Sequence, residues 1–343
     1  MSVTDGMTDA EVGRAPKVGR APEVDPELRD LLAAFTAMVP STITPDMLAQ
    51  LRATMATMTV PEEDLSGGGR LVVERHRVPG PAGGPDVGLL VCRPRDAPTL
   101  SPVIYYVHGG GMVMGSNQGN DLVPLLALAA EIGLALVSVD YRLAPENPHP
   151  APVEDCYAGL AWTADHAAEL SVDPNRVVIA GASAGGGLAA ATALLARDRS
   201  GPRLAGQLLL SPMLDDRNDS YSARQMVGIG VWDRGSNEFG WEALLGTGRG
   251  TADVDPYAAP ARAADLDGLP PTFLDVGTME TFRDEIVDYA SRIWRAGGNA
   301  ELHVWPGGFH GFALQATNAR LGRQARGRWR DWLVRILDLP AES

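Results

Sequence analysis

Val177-Val178-Ile179-Ala180-Gly181-Ala182-Ser183-Ala184-Gly185-Gly186 is the stretch on which the reading of this chain turns. The apolar run Val177 to Ala180 has the character of a buried strand, and the alanine-rich run from Gly186 to Arg197 that of a helix. A serine between them, with glycine two residues away on each side, predicts a tight strand-to-helix turn that pushes its hydroxyl out at the carboxyl end of the strand. Side chains beside such a serine would collide with the backbone, so the turn requires glycine. A glycine-rich turn of this kind also suits a phosphate at a helix N-terminus. No Walker lysine follows it here, which lowers that alternative.

The whole chain sets the bounds. Its 343 residues are enough for one large core, or one core with a small appendage. Apolar residues make up 45% and charged residues 21%, the balance of an ordinary globular protein. The formal net charge is −14, from 29 basic and 43 acidic side chains, and such a surface repels phosphate backbones and acidic membranes. No nucleic-acid partner is expected. The two cysteines, Cys92 and Cys156, make neither a disulfide framework nor a zinc-ligand spacing. Residues 1–20 carry no apolar signal-peptide core, so a cytoplasmic, reducing location is expected. The longest apolar stretch, Leu122 to Val139, is interrupted by Pro124, Glu131 and Gly133. It reads as a helix, a glycine stop and a strand, and no stable membrane insertion is expected.

Outward from the serine, strands alternate with helices from about residue 70. Strands are expected near 71–78, 87–93, 102–107, 134–139, 176–180, 206–210, 271–276 and 300–305. Several, such as Val103 to Val107, are continuous apolar runs, the mark of a mainly parallel sheet covered on both faces. Residues 1–24 read as a disordered tail. Two helices then fill 25–69, with Leu28, Leu31, Leu32 and Phe35 on one face and Met47, Leu48, Leu51 and Met55 on the other helix's face. A helical insertion at 215–250, carrying Met226, Trp232, Phe239 and Trp241, breaks the alternation. Together with the N-terminal helices it is expected to cap the carboxyl edge of a core formed by 70–214 and 251–343.

A serine hydroxyl needs a base, an acid to orient the base, and donors for a developing oxyanion. His310 lies in Gly307-Gly308-Phe309-His310-Gly311, a loop after the last expected strand, where the base of a Ser…Asp/Glu…His order belongs. His303 is its rival, but it falls inside the strand. The acid should follow the penultimate strand. Glu280 stands on that loop, and Asp284, the alternative, falls on the next helix. His108-Gly109-Gly110-Gly111, directly after Val103 to Val107, predicts an oxyanion loop. Gly109, Gly110 and the N–H of Ala184 are the expected donors, with His108 bracing the loop.

These motifs, with Asp140-Tyr141-Arg142-Leu143-Ala144-Pro145-Glu146, Asp155 ahead of Trp162, Asp173-Pro174-Asn175-Arg176, Gly268-Leu269-Pro270-Pro271 and Arg283-Asp284-Glu285, resemble the bacterial hormone-sensitive-lipase-like carboxylesterases. The resemblance spans about residues 70–315. It implies an α/β-hydrolase fold: a mainly parallel eight-stranded sheet with helices on both faces and a helical cap. It also implies hydrolysis of short- to medium-chain carboxylic esters through Ser183, His310 and an acyl-enzyme, with no metal or organic cofactor. In that family the triad acid is usually the aspartate of an Asp-Pro-Leu-Arg-Asp-Glu run. That position aligns with Glu280, which supports Glu280 over Asp284. Ala182 and Gly187 also depart from the commoner residues. A ligand receptor or a lyase on the same scaffold is the alternative. The partner expected is a small-molecule ester, with a homodimer through the edge strand near 300–305.

Overall fold

The computed structural model describes residues 18–97 and 100–340. Three short helices come first: α1 (Arg29–Met38), α2 (Leu48–Ala56) and α3 (Glu62–Leu65). Strands β1 (Leu71–Val78), β2 (Val87–Pro94) and β3 (Ser101–Val107) follow. Next are α4 (Val123–Ile132), β4 (Ala135–Asp140), α5 (Ala151–Asp165), α6 (Ala167–Leu170) and β5 (Val172–Ala182). The remainder carries α7 (Ala184–Asp198), β6 (Gly206–Leu210), α8 (Tyr221–Gln225), α9 (Arg234–Leu245) and β7 (Thr272–Met279). It closes with α10 (Arg283–Arg295), β8 (Ala300–Phe309), α11 (Phe312–Gln315) and α12 (Arg320–Ile336).

The eight strands form one sheet in the order β1-β2-β4-β3-β5-β6-β7-β8. Only β2 runs against its neighbours; from β4 to β8 the pairing is parallel. The continuous apolar strands have a direct cause. On β3, Val103, Tyr105 and Val107 join a core with Leu160 of α5, Leu188 of α7 and Ile286 of α10. The alternate residues Ile104 and Tyr106 join a second core with Leu125 of α4 and Trp329 and Leu333 of α12. With helices on both faces, neither side-chain row of β3 meets water. The Leu122 to Val139 stretch resolves as expected, with Gly133 in the left-handed region (φ 73°) ending α4 ahead of β4. Among the described residues no helix is long and apolar enough to cross a membrane.

All eight expected strands occur, with differences at their carboxyl ends. β8 continues through Pro306, Gly307 and Gly308 to Phe309, a segment whose composition reads as loop. β7 reaches Met279 with a register shift after Gly277. The cause is close backbone approach: a Cβ on Gly277 would overlap the Gly308 carbonyl oxygen.

Of the tail expected at 1–24, residues 1–17 lie outside the described residues. Residues 18–24 form no helix or strand but are hydrogen-bonded: the Gly19 N–H donates to the Tyr221 hydroxyl at 2.7 Å, and Gln225 Nε2 to the Arg20 carbonyl at 2.8 Å. In the N-terminal helices Leu28 and Leu48 are buried, whereas Met55, expected on the inward face, is 38% exposed. The link between α1 and α2 meets the segment between β6 and β7. Thr42 Oγ1 donates to Asp233 Oδ2 at 2.7 Å, and the Ile43 N–H to Ser236 Oγ at 2.8 Å.

One buried carboxylate ties the segment after β4 to α5. Asp155 Oδ2 accepts from the Arg142 N–H (2.9 Å) and Nε (2.8 Å), and Oδ1 accepts from an Arg142 terminal nitrogen at 2.7 Å. Asp155 is 1% exposed, so its removal would strand these donors in a poorly solvated place. Asp155→Ala is expected to lower unfolding free energy by about 2–4 kcal/mol, with Asp155→Asn intermediate. Urea unfolding followed by tryptophan fluorescence measures both, and a loss below about 0.5 kcal/mol for the alanine variant would contradict the assignment.

Candidate active site

Ser183 stands between β5 and α7 with φ 57° and ψ −123°, a conformation that side-chain-bearing residues rarely adopt. Three backbone hydrogen bonds hold it. Its N–H donates to the Leu210 carbonyl at 2.8 Å, and its carbonyl accepts from Met213 (2.9 Å) and Gly187 (3.1 Å). Both flanking glycines are sterically required. A Cβ on Gly181 would overlap the Gly185 carbonyl, and one on Gly185 the Val107 carbonyl. The bend therefore seats α7 directly against β3 and leaves the hydroxyl at the carboxyl edge of the sheet.

The loops after β7 and β8 meet this hydroxyl. His310 Nε2 lies 2.9 Å from Ser183 Oγ, and His310 Nδ1 lies 2.8 Å from Glu280 Oε2. The Glu280 side chain is fully shielded from solvent and that of His310 is 12% exposed. Phe282 meets the imidazole edge-on at 5.2 Å between ring centroids. Glu280 follows β7 directly, where the sequence pattern put it on a loop three residues past a strand ending at Gly277. Its Oε1 accepts from the Gly277 N–H at 2.7 Å and from Ser211 Oγ at 2.8 Å. Asp284 is occupied elsewhere, at the start of α10: Oδ2 accepts from the Ser222 N–H at 2.7 Å and Oδ1 from Arg283 Nε at 2.8 Å. His303 lies within β8, beside Glu301.

Two more buried carboxyls lie nearby. Desolvation, helped by the neighbouring Glu280 charge, pushes Asp275 up to about 7, although Trp329 Nε1 donates to it at 2.8 Å. Burial also holds Glu285 well above the usual carboxylate range. Its Oε1 accepts from the backbone N–H groups of Leu214 (2.8 Å) and Asp215 (3.3 Å), fixing the segment that also bonds Ser183.

The loop after β3 corrects one expectation. The Gly109 N–H donates to Asp121 Oδ2 at 3.0 Å, so this donor is already occupied. Asp121 is itself held by the Tyr106 hydroxyl at 2.7 Å. Among the described residues the N–H groups of Gly110, Gly111 and Ala184 have no protein acceptor. His108 stacks on Tyr141 at 4.2 Å, and its Nδ1 lies 2.8 Å from the Gly109 carbonyl. Burial depresses its pKa, which keeps the ring neutral. The Trp232 ring packs on Gly111, while Phe239 and Trp241 belong to the core beneath.

Ser211, Asp121 and Arg52, which bonds the loop after β3, were not legible as site residues. Ser211 had a usable signal, since it directly follows a strand at the same sheet edge as the other site residues. Asp121 and Arg52 had none, because what ties each to the loop is a bond to a backbone group, Gly109 N–H and the Val113 carbonyl, that no motif marks.

Comparison with known proteins agrees with this architecture. Residues 104–314 match the family model of the alpha/beta hydrolase fold. The carboxylesterase NlhH of Mycobacterium tuberculosis is 36% identical over 327 residues, covering 94% of this chain and 98% of its own. The structure named bacterial heroin esterase superposes with a TM-score of 0.83 at 38% identity, covering 92% of this chain and 98% of its own. Esterase LipW from Mycobacterium marinum gives 0.79 at 32% identity, with coverage of 92% and 98%. Similarity of this degree along nearly the full length of both partners places the chain in the α/β-hydrolase fold family, among the hormone-sensitive-lipase-like carboxylesterases, as a carboxylic ester hydrolase.

Proposed function

We propose that Ser183, His310 and Glu280 form the triad of a serine esterase acting on short- to medium-chain carboxylic esters. The observation that carries the reading is the unbroken hydrogen-bond chain from the Ser183 hydroxyl through both imidazole nitrogens to a buried carboxylate, at 2.9 and 2.8 Å. In this mechanism Ser183 Oγ attacks the ester carbonyl while His310 Nε2 takes its proton. Glu280 keeps the Nδ1 proton in place and stabilises the imidazolium. The tetrahedral oxyanion is received by the N–H groups of Gly110, Gly111 and Ala184, none of which has an acceptor among the described residues. Collapse breaks the ester C–O bond, and the alcohol leaves with the proton from His310. Water, deprotonated by the same nitrogen, then attacks the acyl-enzyme, releasing the acid and restoring Ser183.

The N-terminal helices (25–69) and the insertion (215–250) act as a cap over the core of 70–214 and 251–343. Supporting this are the hydrogen bonds joining Thr42 and Ile43 to Asp233 and Ser236, and the seating of Trp232 on Gly111. Trp232 closes one side of the acyl space, consistent with chains of modest length. A homodimer through β8 is supported by its position at the sheet edge and by the exposure of Val304 and Trp294. The two free, buried cysteines fit a reducing, cytoplasmic location. The net charge of −14 argues against a nucleic-acid partner.

Ser183→Ala is expected to abolish p-nitrophenyl butyrate hydrolysis and labelling by a fluorophosphonate while leaving the circular dichroism spectrum unchanged. Turnover within about tenfold of wild type would place the nucleophile elsewhere.

The acid is tested by a pair of variants. Glu280→Gln keeps the shape but removes the charge facing His310, and its kcat should fall roughly 10²–10⁴-fold. Asp284→Asn should change kcat by less than about threefold, because that carboxylate serves the Ser222 N–H at a helix start. The reverse pattern in kcat on one short ester would overturn the assignment.

A further inference from the structure

The loop after β3 holds an unfavourable backbone. Gly110, Gly111 and Met112 are three consecutive residues in the left-handed region, with φ of 112°, 63° and 63°. A methionine there persists only where the surroundings over-determine it. Hydrogen bonds to the loop's own carbonyls do so. Gly110 O accepts from the N–H groups of Val113 (3.1 Å) and Met114 (3.0 Å), and Met112 O accepts from Ala144 N–H (2.9 Å). The next carbonyl, on the fully buried Val113, is reached from outside the core, by Arg52 Nε of α2 at 2.7 Å.

The same guanidinium donates to the Ala144 carbonyl at 2.8 Å and to both Glu146 carboxylate oxygens at 2.7 and 2.8 Å. It thus joins the two segments whose mutual bond, Ala144 N–H to Met112 O, supports the strained turn. The planar fork of donors suits this bridging in a way a lysine ammonium cannot. Leu48 is the buried residue of α2, and Leu51 packs partly buried against the same core. Arg52 is the side chain of that helix that bonds backbone carbonyls of the loop.

We propose that Arg52 is a positioning residue for the oxyanion loop, through which the N-terminal helices help to aim the donors that receive the tetrahedral oxyanion. The inference rests on the serine-esterase reading above and extends it. Donors of this kind act only when they lie about 2.7–3.1 Å from the oxyanion, so a small relaxation of the Gly110-Gly111 turn weakens them. Arg52 touches no reacting atom. Its effect should therefore appear in the transition state more than in substrate binding.

The test uses the full chain and four variants: Arg52→Met, Arg52→Lys, Arg75→Met and Ser183→Ala. Arg75 pairs with Glu62 near the same N-terminal region and reaches the Gln118 side chain, but it bonds no backbone carbonyl of the Gly110–Val113 turn, so its variant controls for loss of an arginine ion pair. Steady-state kinetics on p-nitrophenyl butyrate are measured with the inhibition constant of an alkyl trifluoromethyl ketone, whose serine adduct carries the oxyanion. Arg52→Met should lower kcat roughly 10–100-fold and weaken the ketone by a similar factor, with KM changed less than about threefold. Arg52→Lys should fall between it and wild type, and Arg75→Met should match wild type. If Arg52→Met does not fold, the lysine variant carries the test, with kcat and ketone affinity falling together.

A folded Arg52 variant with unchanged kcat and ketone affinity, or one altered only in KM, would overturn the inference and leave Arg52 a fastener of the N-terminal helices. If that result comes with an inactive Ser183→Ala, only this inference fails. An active Ser183→Ala would remove the underlying reading as well.

Discussion

The turn at Ser183 is the constraint to which the rest of the structure is built. A left-handed serine between a strand and a helix is stable only if its surroundings hold it there. Here the hold comes from backbone contact: Gly185 packs against the Val107 carbonyl, and Leu210 and Met213 bond the Ser183 peptide groups. Those partners lie on β3 and at the end of β6, the two neighbours of β5 in the sheet. The strand order is therefore tied to the chemistry, because a different neighbour would leave the turn without its supports.

Around this turn, backbone bonds and buried carboxyls fix the loops in a cascade. Glu285 fixes the Leu214 and Asp215 peptides next to Met213, and Asp121 holds the Gly109 N–H. Ser211 and Gly277 donate to Glu280 on the oxygen that does not face His310. Each interaction is individually worth only about 1–3 kcal/mol. Together they leave few alternative placements for the side chains at the carboxyl edge, and such preorganisation underlies electrostatic stabilisation of a transition state.

The segments outside the core are held differently. The N-terminal helices bury few side chains and depend on polar bridges, Thr42 and Ile43 to the insertion and Arg52 to the loop after β3. The acceptors on the insertion, Asp233 and Ser236, are themselves buried, so losing either bridge would leave a poorly solvated polar group.

Much of this was readable in the chain itself. Continuous apolar runs such as Val103 to Val107 specify strands covered on both faces, and glycines spaced around Ser183 specify a turn that nothing larger can make. Local pattern therefore determined the strands, the elbow, and the candidates Ser183, His310 and Glu280, because their positions follow from where strands end. Tertiary structure alone decided which groups meet. It placed Glu280 rather than Asp284 against His310, since the strand continues to Met279 and Asp284 is turned to Ser222. It turned the Gly109 N–H to Asp121, and it brought Ser211 and Arg52 into the network. Hydrogen bonds to backbone groups far along the chain leave no periodicity or motif, so only folding reveals them.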